Sequence, residues 1–201
     1  DLHSFPTRRS SDLHIGKFQE SAQAYTALAA QSPKELRDRL LLRAAREYLN
    51  AGAADKARTT LSQVSPALPS QDFAQRALIT AELALRAQNP TKALTELDRI
   101  PQPLPRESTA DILALRARAQ FALNRPSAGV ATALERERML TTQQEIRANQ
   151  RLIWEGLQKS AAGNADFTPQ PGSSAVVAGW LDLGRATLYM EIGRASCRER
   201  V

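Results

Sequence analysis

The residues able to carry covalent or acid–base chemistry are few, and their spacing argues against both. One cysteine, Cys197, lies in the basic C-terminal stretch EIGRASCRERV, and the two histidines, His3 and His14, lie at the opposite end. Glu135 and Glu137, within ERER, are the nearest approach to a paired carboxylate. On a helix, residues two apart point to different faces, so this pair cannot share a proton or a water. The alternating charges of Glu135–Arg138 read instead as a solvated helix face. No Gly-rich phosphate loop, HExxH or paired-cysteine motif is present. The expectation is therefore a binding protein and not an enzyme, with no catalytic, cofactor-binding or metal-ligating residues and no cofactor.

Cys197 has an explanation in DNA. One set of codons for Ile192–Val201 has a reverse complement that translates as HSFPTRRSSD, which is His3–Asp12 of the same chain. Two unrelated biological segments almost never share complementary DNA over such a length, and this DNA is similar to a widely used sequencing adapter. Residues 1–13 and 192–201 are therefore read as translated adapter and kept out of fold reasoning, as a processing scar would be. They are expected to pack poorly, and any helix through Ile192–Val201 would reflect the helix propensity of Arg-rich sequence. Trimming removes His3 and Cys197 and leaves His14 without an acidic or serine partner.

Net charge is +6 over 201 residues, and it falls to +4 without the three arginines and one glutamate of the C-terminal stretch. Acids are interspersed with the arginines, and no Lys/Arg block marks a nucleic-acid or membrane-surface partner. No apolar run approaches the roughly 20 residues of a membrane span. Alanine and leucine dominate and aromatic residues make up only 5%. With few β-branched runs, that composition favours helix. The trimmed length suits one domain with a substantial core.

The elements follow from self-similarity. REYLNAGAADKARTTL, ELALRAQNPTKALTEL and ARAQFALNRPSAGVATAL align at a spacing of 36 residues. Ala45, Ala81 and Ala117 fall at one position, and Leu49, Leu85 and Phe121 at the next. Gly52, Gln88 and Asn124 share a third, Ala57, Ala93 and Gly129 a fourth, and Leu61, Leu97 and Ala133 a fifth. Leu41, Leu42, Ala45, Tyr48 and Leu49 follow the helical period and predict a helix near 36–50. Asn50-Ala-Gly52 breaks it, since glycine accepts the left-handed geometry that ends helices. A second helix restarts at Asp55-Lys-Ala57, with Leu61 and Val64 on its buried face and Pro66 and Pro69 as stops. Pro90 and Pro126 stand near helix starts, where a missing N–H costs little. GKFQESAQAYTALAAQSP reads as the second half of an earlier unit.

The pattern resembles the tetratricopeptide repeat. Tyr48, Gly52, Ala57 and Leu61 match it, whereas Gln120 stands at the usual aromatic position and Gly129 at the usual alanine. The expected fold is all-α, a tetratricopeptide-like α-solenoid of stacked helix pairs over residues 14–140 with a C-terminal helical extension, 141–191. Carrying over the repeat's groove positions implies a concave partner-binding face at Arg39, Arg46, Asn50, Gln75, Glu82, Arg86, Asp111 and Arg118. Its mixture of charges suits peptide or glycan contact.

In the extension, Thr141 or Thr142 with Glu145 forms a helix-start signature. Ile146, Leu152, Ile153, Trp154 and Leu157 supply the apolar face of that helix. Gly163–Ser174 is a loop, and Val177, Trp180, Leu181, Leu183 and Leu188 mark a last helix. Trp154 and Trp180 are expected to pack between these two helices, not to stack on a ligand.

RLIWEGLQ, the loop and then VVAGWLDLGRA, placed after degenerate repeats, resemble the N-terminal domain of LpoA-type lipoproteins, outer-membrane activators of class A penicillin-binding proteins. The resemblance implies a periplasmic protein, outer-membrane anchored by a lipidated cysteine, with an α/β domain following the helices. Neither the lipid site nor that domain is among these residues. The implied partner is a class A penicillin-binding protein, met mainly through the missing domain, with peptidoglycan as a second candidate. The alternative is a generic tetratricopeptide adaptor that binds a protein partner.

Overall fold

A computed structural model describes residues 10–101, 103–163 and 165–198, with side chains from 16 to 190 except 35, 102 and 164. Among the described residues there are nine helices and no strand. In chain order they are α1 (Ser10–Ala30), α2 (Lys34–Asn50), α3 (Ala54–Ser62), α4 (Ser70–Arg86), α5 (Pro90–Asp98), α6 (Arg106–Ala122), α7 (Pro126–Glu137), α8 (Gln143–Ala162) and α9 (Ala175–Arg198). The fold is all-α and tetratricopeptide-like.

Three turns reproduce the period in backbone geometry. Gly52, Gln88 and Asn124, the three aligned turn residues, all have positive φ, at 75°, 56° and 54°. Each turn is closed by the same two bonds. Gly52, Gln88 and Asn124 donate to Leu49, Leu85 and Phe121 carbonyls, while Ala53, Asn89 and Arg125 reach back five residues to Tyr48, Ala84 and Gln120. This is the Schellman arrangement, which satisfies carbonyls that a helix end otherwise leaves without partners. The residue after each turn then starts the next helix. Pro90 and Pro126 occupy the first helical positions of α5 and α7, where their missing N–H would have been unpaired anyway. Of the three residues that follow these turns, Asn89 alone caps with its side chain, accepting from the Lys92 N–H at 3.1 Å.

Contacts divide the chain into two compact units, Asp1–Leu83 and Ala84–Val201. In the first, α1 and α3 both pack on α2. Leu41, Leu42, Ala45 and Leu49 of α2 meet Ala22 and Ala29 of α1, Ala57 and Leu61 of α3, and Ile79 and Leu83 of α4. The helix predicted at 36–50 is α2. α3 ends at Ser62, before the prolines, because Gln63 and Val64 tighten onto Thr60 and Leu61 in the last turn. Val64 still reaches the core, but from that turn rather than from the helix face.

In the second unit α6 packs on α5, α7 and α8, and α9 packs on α7 and α8. Phe121, Val130, Ile153, Leu157, Val177 and Leu181 form its core. Truncating a buried leucine of this kind to alanine costs about 2–5 kcal/mol. Of the two candidate caps, Thr141 and Thr142, it is Thr142 that forms the capping box, with Glu145 bonded back to the Thr142 N–H. The Gly163–Ser174 loop carries Phe167, 3% exposed, into the core. A Cβ on Gly184 would lie 2.6 Å from the Phe167 ring, so α9 needs a glycine there to admit it. Trp180 packs against this core and Trp154 is half-buried on α8. α9 continues to Arg198, into the stretch read as adapter. Residues 1–9 and 199–201, and the packing of side chains before Gly16 or after Met190, lie outside the described residues.

Candidate interaction surface

The groove positions inferred from the repeat are divided between the units. Arg39, Arg46, Asn50, Gln75 and Glu82 belong to the first, and Arg86, Asp111 and Arg118 to the second. In the first unit α2 and α4 are joined by two ion pairs. Arg39 Nε donates to Asp72 Oδ2 at 3.1 Å, and Arg46 Nη1 lies 3.6 Å from Glu82 Oε2. Arg46 and Glu82 are one repeat apart, so equivalent positions with opposite charge have come together. Arg39 is open to water, Arg46 less so, and both carboxylates are largely covered; half-exposed pairs of this kind contribute about 1 kcal/mol each. They fix the direction of the side chains more than they stabilise the unit. Asn50 is exposed at the end of α2, and Gln75 is half-buried on α4.

The α2–α4 junction has further polar ties. Arg37 donates to the Gln63 carbonyl, Arg76 to the Ser65 carbonyl, and the Ser65 N–H to Asp38. Asp38 and Asp72 are both buried, and each has found a partner, as burial of a charge requires. Sequence reasoning missed Asp72. The available signal was its place one turn before Gln75 on the same helix face.

In the second unit Asp111 and Arg118 are exposed on α6 and both act electrostatically on Arg136 of α7. Burial pushes the Arg136 guanidinium below its usual range; Asp111 opposes that, and Arg118 adds to it. Arg136 Nε donates to the Ala110 carbonyl at 3.1 Å, and Nη1 to Asn149 Oδ1 at 2.9 Å. Asn149, 0% exposed on α8, donates to the Ala133 carbonyl and to Glu137 Oε2 at 2.8 and 3.3 Å. Arg106 donates to the Arg138 and Met139 carbonyls just past the end of α7. ERER is therefore not a uniformly solvated face: Glu135 and Arg138 are exposed, whereas Arg136 and Glu137 are half-buried and tie three helices together.

No group of three or more His, Cys, Asp or Glu is placed to hold a metal ion among the described residues. No described helix is long and apolar enough to cross a membrane. Helix pairs joined by Schellman turns, with mixed charge along α2 and α4, define a tetratricopeptide-like helical repeat domain.

Residues 17–193 match the family described as "LppC putative lipoprotein". The chain belongs to that family. No curated protein matches it in sequence. Among solved structures it is similar to the LpoA N-terminal domain from Haemophilus influenzae, with 19% identity and a TM-score of 0.64 over 88% of this chain and 80% of that one. The E. coli LpoA amino-terminal domain gives 22% identity and a TM-score of 0.61, over 98% of this chain and 91% of that one. Against LpoA of H. influenzae in a monoclinic form, identity is 19% and the TM-score 0.64, with 86% of this chain covered. This chain spans only 33% of that relative's length. At such identities the likeness is one of fold.

Proposed function

We propose that this chain is the helical spacer and interaction domain of a periplasmic, outer-membrane lipoprotein that activates a class A penicillin-binding protein in peptidoglycan synthesis. The match of residues 17–193 to a lipoprotein family carries the reading, and the fold shared with LpoA N-terminal domains supports it. Several arginines and acids of the repeats hold one another, as Arg39–Asp72, Arg46–Glu82 and Arg116–Asp98 do, which fits a structural and binding role for these charges. The partner is the penicillin-binding protein, with the main contact in the larger remainder of the protein and peptidoglycan as a second candidate.

The test begins with the gene reassembled without adapter sequence. Its product is expected to raise the cross-linking rate of a class A penicillin-binding protein from the same source and to be recovered with it in a pull-down. Absence of both overturns the proposal. Recovery of a different protein alone reassigns the domain as a generic tetratricopeptide adaptor.

A further inference from the structure

We propose that an uncharged stripe of α9 is the seat of the polypeptide that follows this domain in the whole protein, held by apolar contact with a close approach at Gly179. Among the described residues, most large apolar side chains left in water lie on α9: Val176 is 59% exposed, Leu183 46%, Tyr189 66% and Met190 59%. At 100° per residue, Val176, Gly179, Leu183, Ala186 and Met190 fall within a sector of roughly 80°, about 21 Å long. Val177 and Leu181, on the opposite side of the helix, are buried in the core of the second unit. The stripe carries no charge, since Asp182 and Arg185 pair with each other outside it. Trp180 borders it, packed against the core and partly exposed.

Gly179 points the same way. Gly129, Gly156 and Gly184, also within helices, each face an aromatic ring that a Cβ would strike. Gly179 is exposed, and a Cβ there would stand in open space. A glycine inside a helix costs stability relative to alanine, and nothing in this domain requires one at that position. An element brought close against α9 does. Area then selects the occupant. A stripe of this size offers on the order of 300 Å², well short of the roughly 800 Å² per partner of a stable complex between separate molecules. A segment joined to α9 by the chain itself acts at roughly millimolar effective concentration, so a smaller contact suffices. The solved relatives show such a segment: this chain matches their amino-terminal domains and spans 33% of one whole relative. Among the described residues α9 is the last helix, so the remainder of a protein built on that plan joins the domain beside the stripe.

The test uses the product of the reassembled gene, with this 201-residue chain for comparison. Leu183→Cys and, as a control on exposed α8, Arg147→Cys are labelled with a water-soluble maleimide and followed site by site by peptide mass spectrometry. In the whole protein the Leu183→Cys thiol is expected to react at least about tenfold more slowly than in this chain, whereas Arg147→Cys reacts alike in both. Gly179→Leu should leave the melting temperature of this chain unchanged or raise it. In the whole protein it should lower the melting temperature and restore fast labelling of Leu183→Cys. Equal labelling of Leu183→Cys in the two proteins overturns the inference. So does protection that disappears on dilution, which would assign the stripe to a second copy of the protein. Protection that survives Gly179→Leu overturns the close approach at Gly179. Labelling needs no penicillin-binding protein, so its outcome and that of the cross-linking assay are independent.

Discussion

The α2–α3 and α6–α7 hairpins fill the same repeat positions with different residues. In the first, Leu49 and Ala57 meet across the pair, and Gly52 makes the turn at no steric cost. In the second, Phe121 replaces the leucine and Gly129 the alanine. A Cβ on Gly129 would lie 2.7 Å from the Phe121 ring, and one on Gly156 of α8 would lie 2.4 Å from it. One ring is thus seated between two glycines. The substitutions that make this unit look degenerate are a matched exchange of volume, so divergence at one position has a counterpart at its contact partner. The second difference is polar: half-exposed ion pairs link α2 to α4, whereas the network of fully buried Asn149 links α6, α7 and α8.

The largest expected effect tests that polar difference. Asn149→Ala leaves the Ala133 carbonyl and an Arg136 donor without their partner, at a cost of about 2–3 kcal/mol. Arg39→Ala, which removes a largely exposed guanidinium and opens the covered Asp72 carboxylate to water in its place, should cost less, about 1 kcal/mol. Urea denaturation of both variants checks this, and equal midpoints would remove the distinction between the two regions.

The volume exchange is next. Gly129→Ala alone is expected to destabilise by about 1–3 kcal/mol through overpacking. Phe121→Leu alone opens a cavity at comparable cost. The double variant restores the Leu/Ala pairing of α2–α3 and should recover much of both losses, a coupling that a double-mutant cycle measures directly. Strict additivity would show that the ring and the glycine are not matched.

Local features of the fold were legible in sequence where one backbone rule dominates. Ala45, Ala81 and Ala117 are all 0% exposed because helices approach closely there. The turn at 52, 88 and 124 was located by its glycine and extended by period to a glutamine and an asparagine. The Thr142–Glu145 box was visible because both members lie within four residues. Less legible was anything that depends on which helices are neighbours. Arg136 looks like any solvated arginine until α6 and α8 are placed around it, and Asp72 gains meaning only beside Arg39. Phe167 sits in a loop whose composition signals exposure, and only Gly184 on another element hints that the loop must dip inward.

A smaller effect is expected at the turns. Gln88 and Asn124 both take the left-handed conformation that disfavours a side chain, but only Asn124 is compensated, with Nδ2 donating to the Gly163 carbonyl at 3.3 Å. Gln88→Gly should therefore stabilise by about 0.5–1 kcal/mol. Asn124→Gly should give no gain, because the strain relieved is offset by the lost bond. Thermal melts of the pair decide it, and a gain of equal size in both would make the Asn124 bond irrelevant.

The smallest effect separates the starts of α3 and α8. α3 begins after Ala53, which has no capping side chain, so its start has no side-chain cap to lose in acid. α8 depends on Glu145, whose carboxyl is held below its ordinary range first by the Thr142 hydroxyl, then by the Thr142 and Thr141 N–H groups. Because the folded value is depressed, the stabilisation is complete above the unfolded carboxyl pKa of about 4.3. It is lost as the pH falls through the lower, folded value. Thr142→Ala removes the largest cause, so the Glu145 carboxyl should titrate at higher pH, nearer an unperturbed glutamate. Carbon-13 NMR titration of the side-chain carboxyl follows this directly, with amide exchange in the first turn of α8 as a second readout. An unchanged midpoint in the variant would mean that the N–H groups alone hold the charge, and that α8 starts as α3 does, without help from a side-chain hydroxyl.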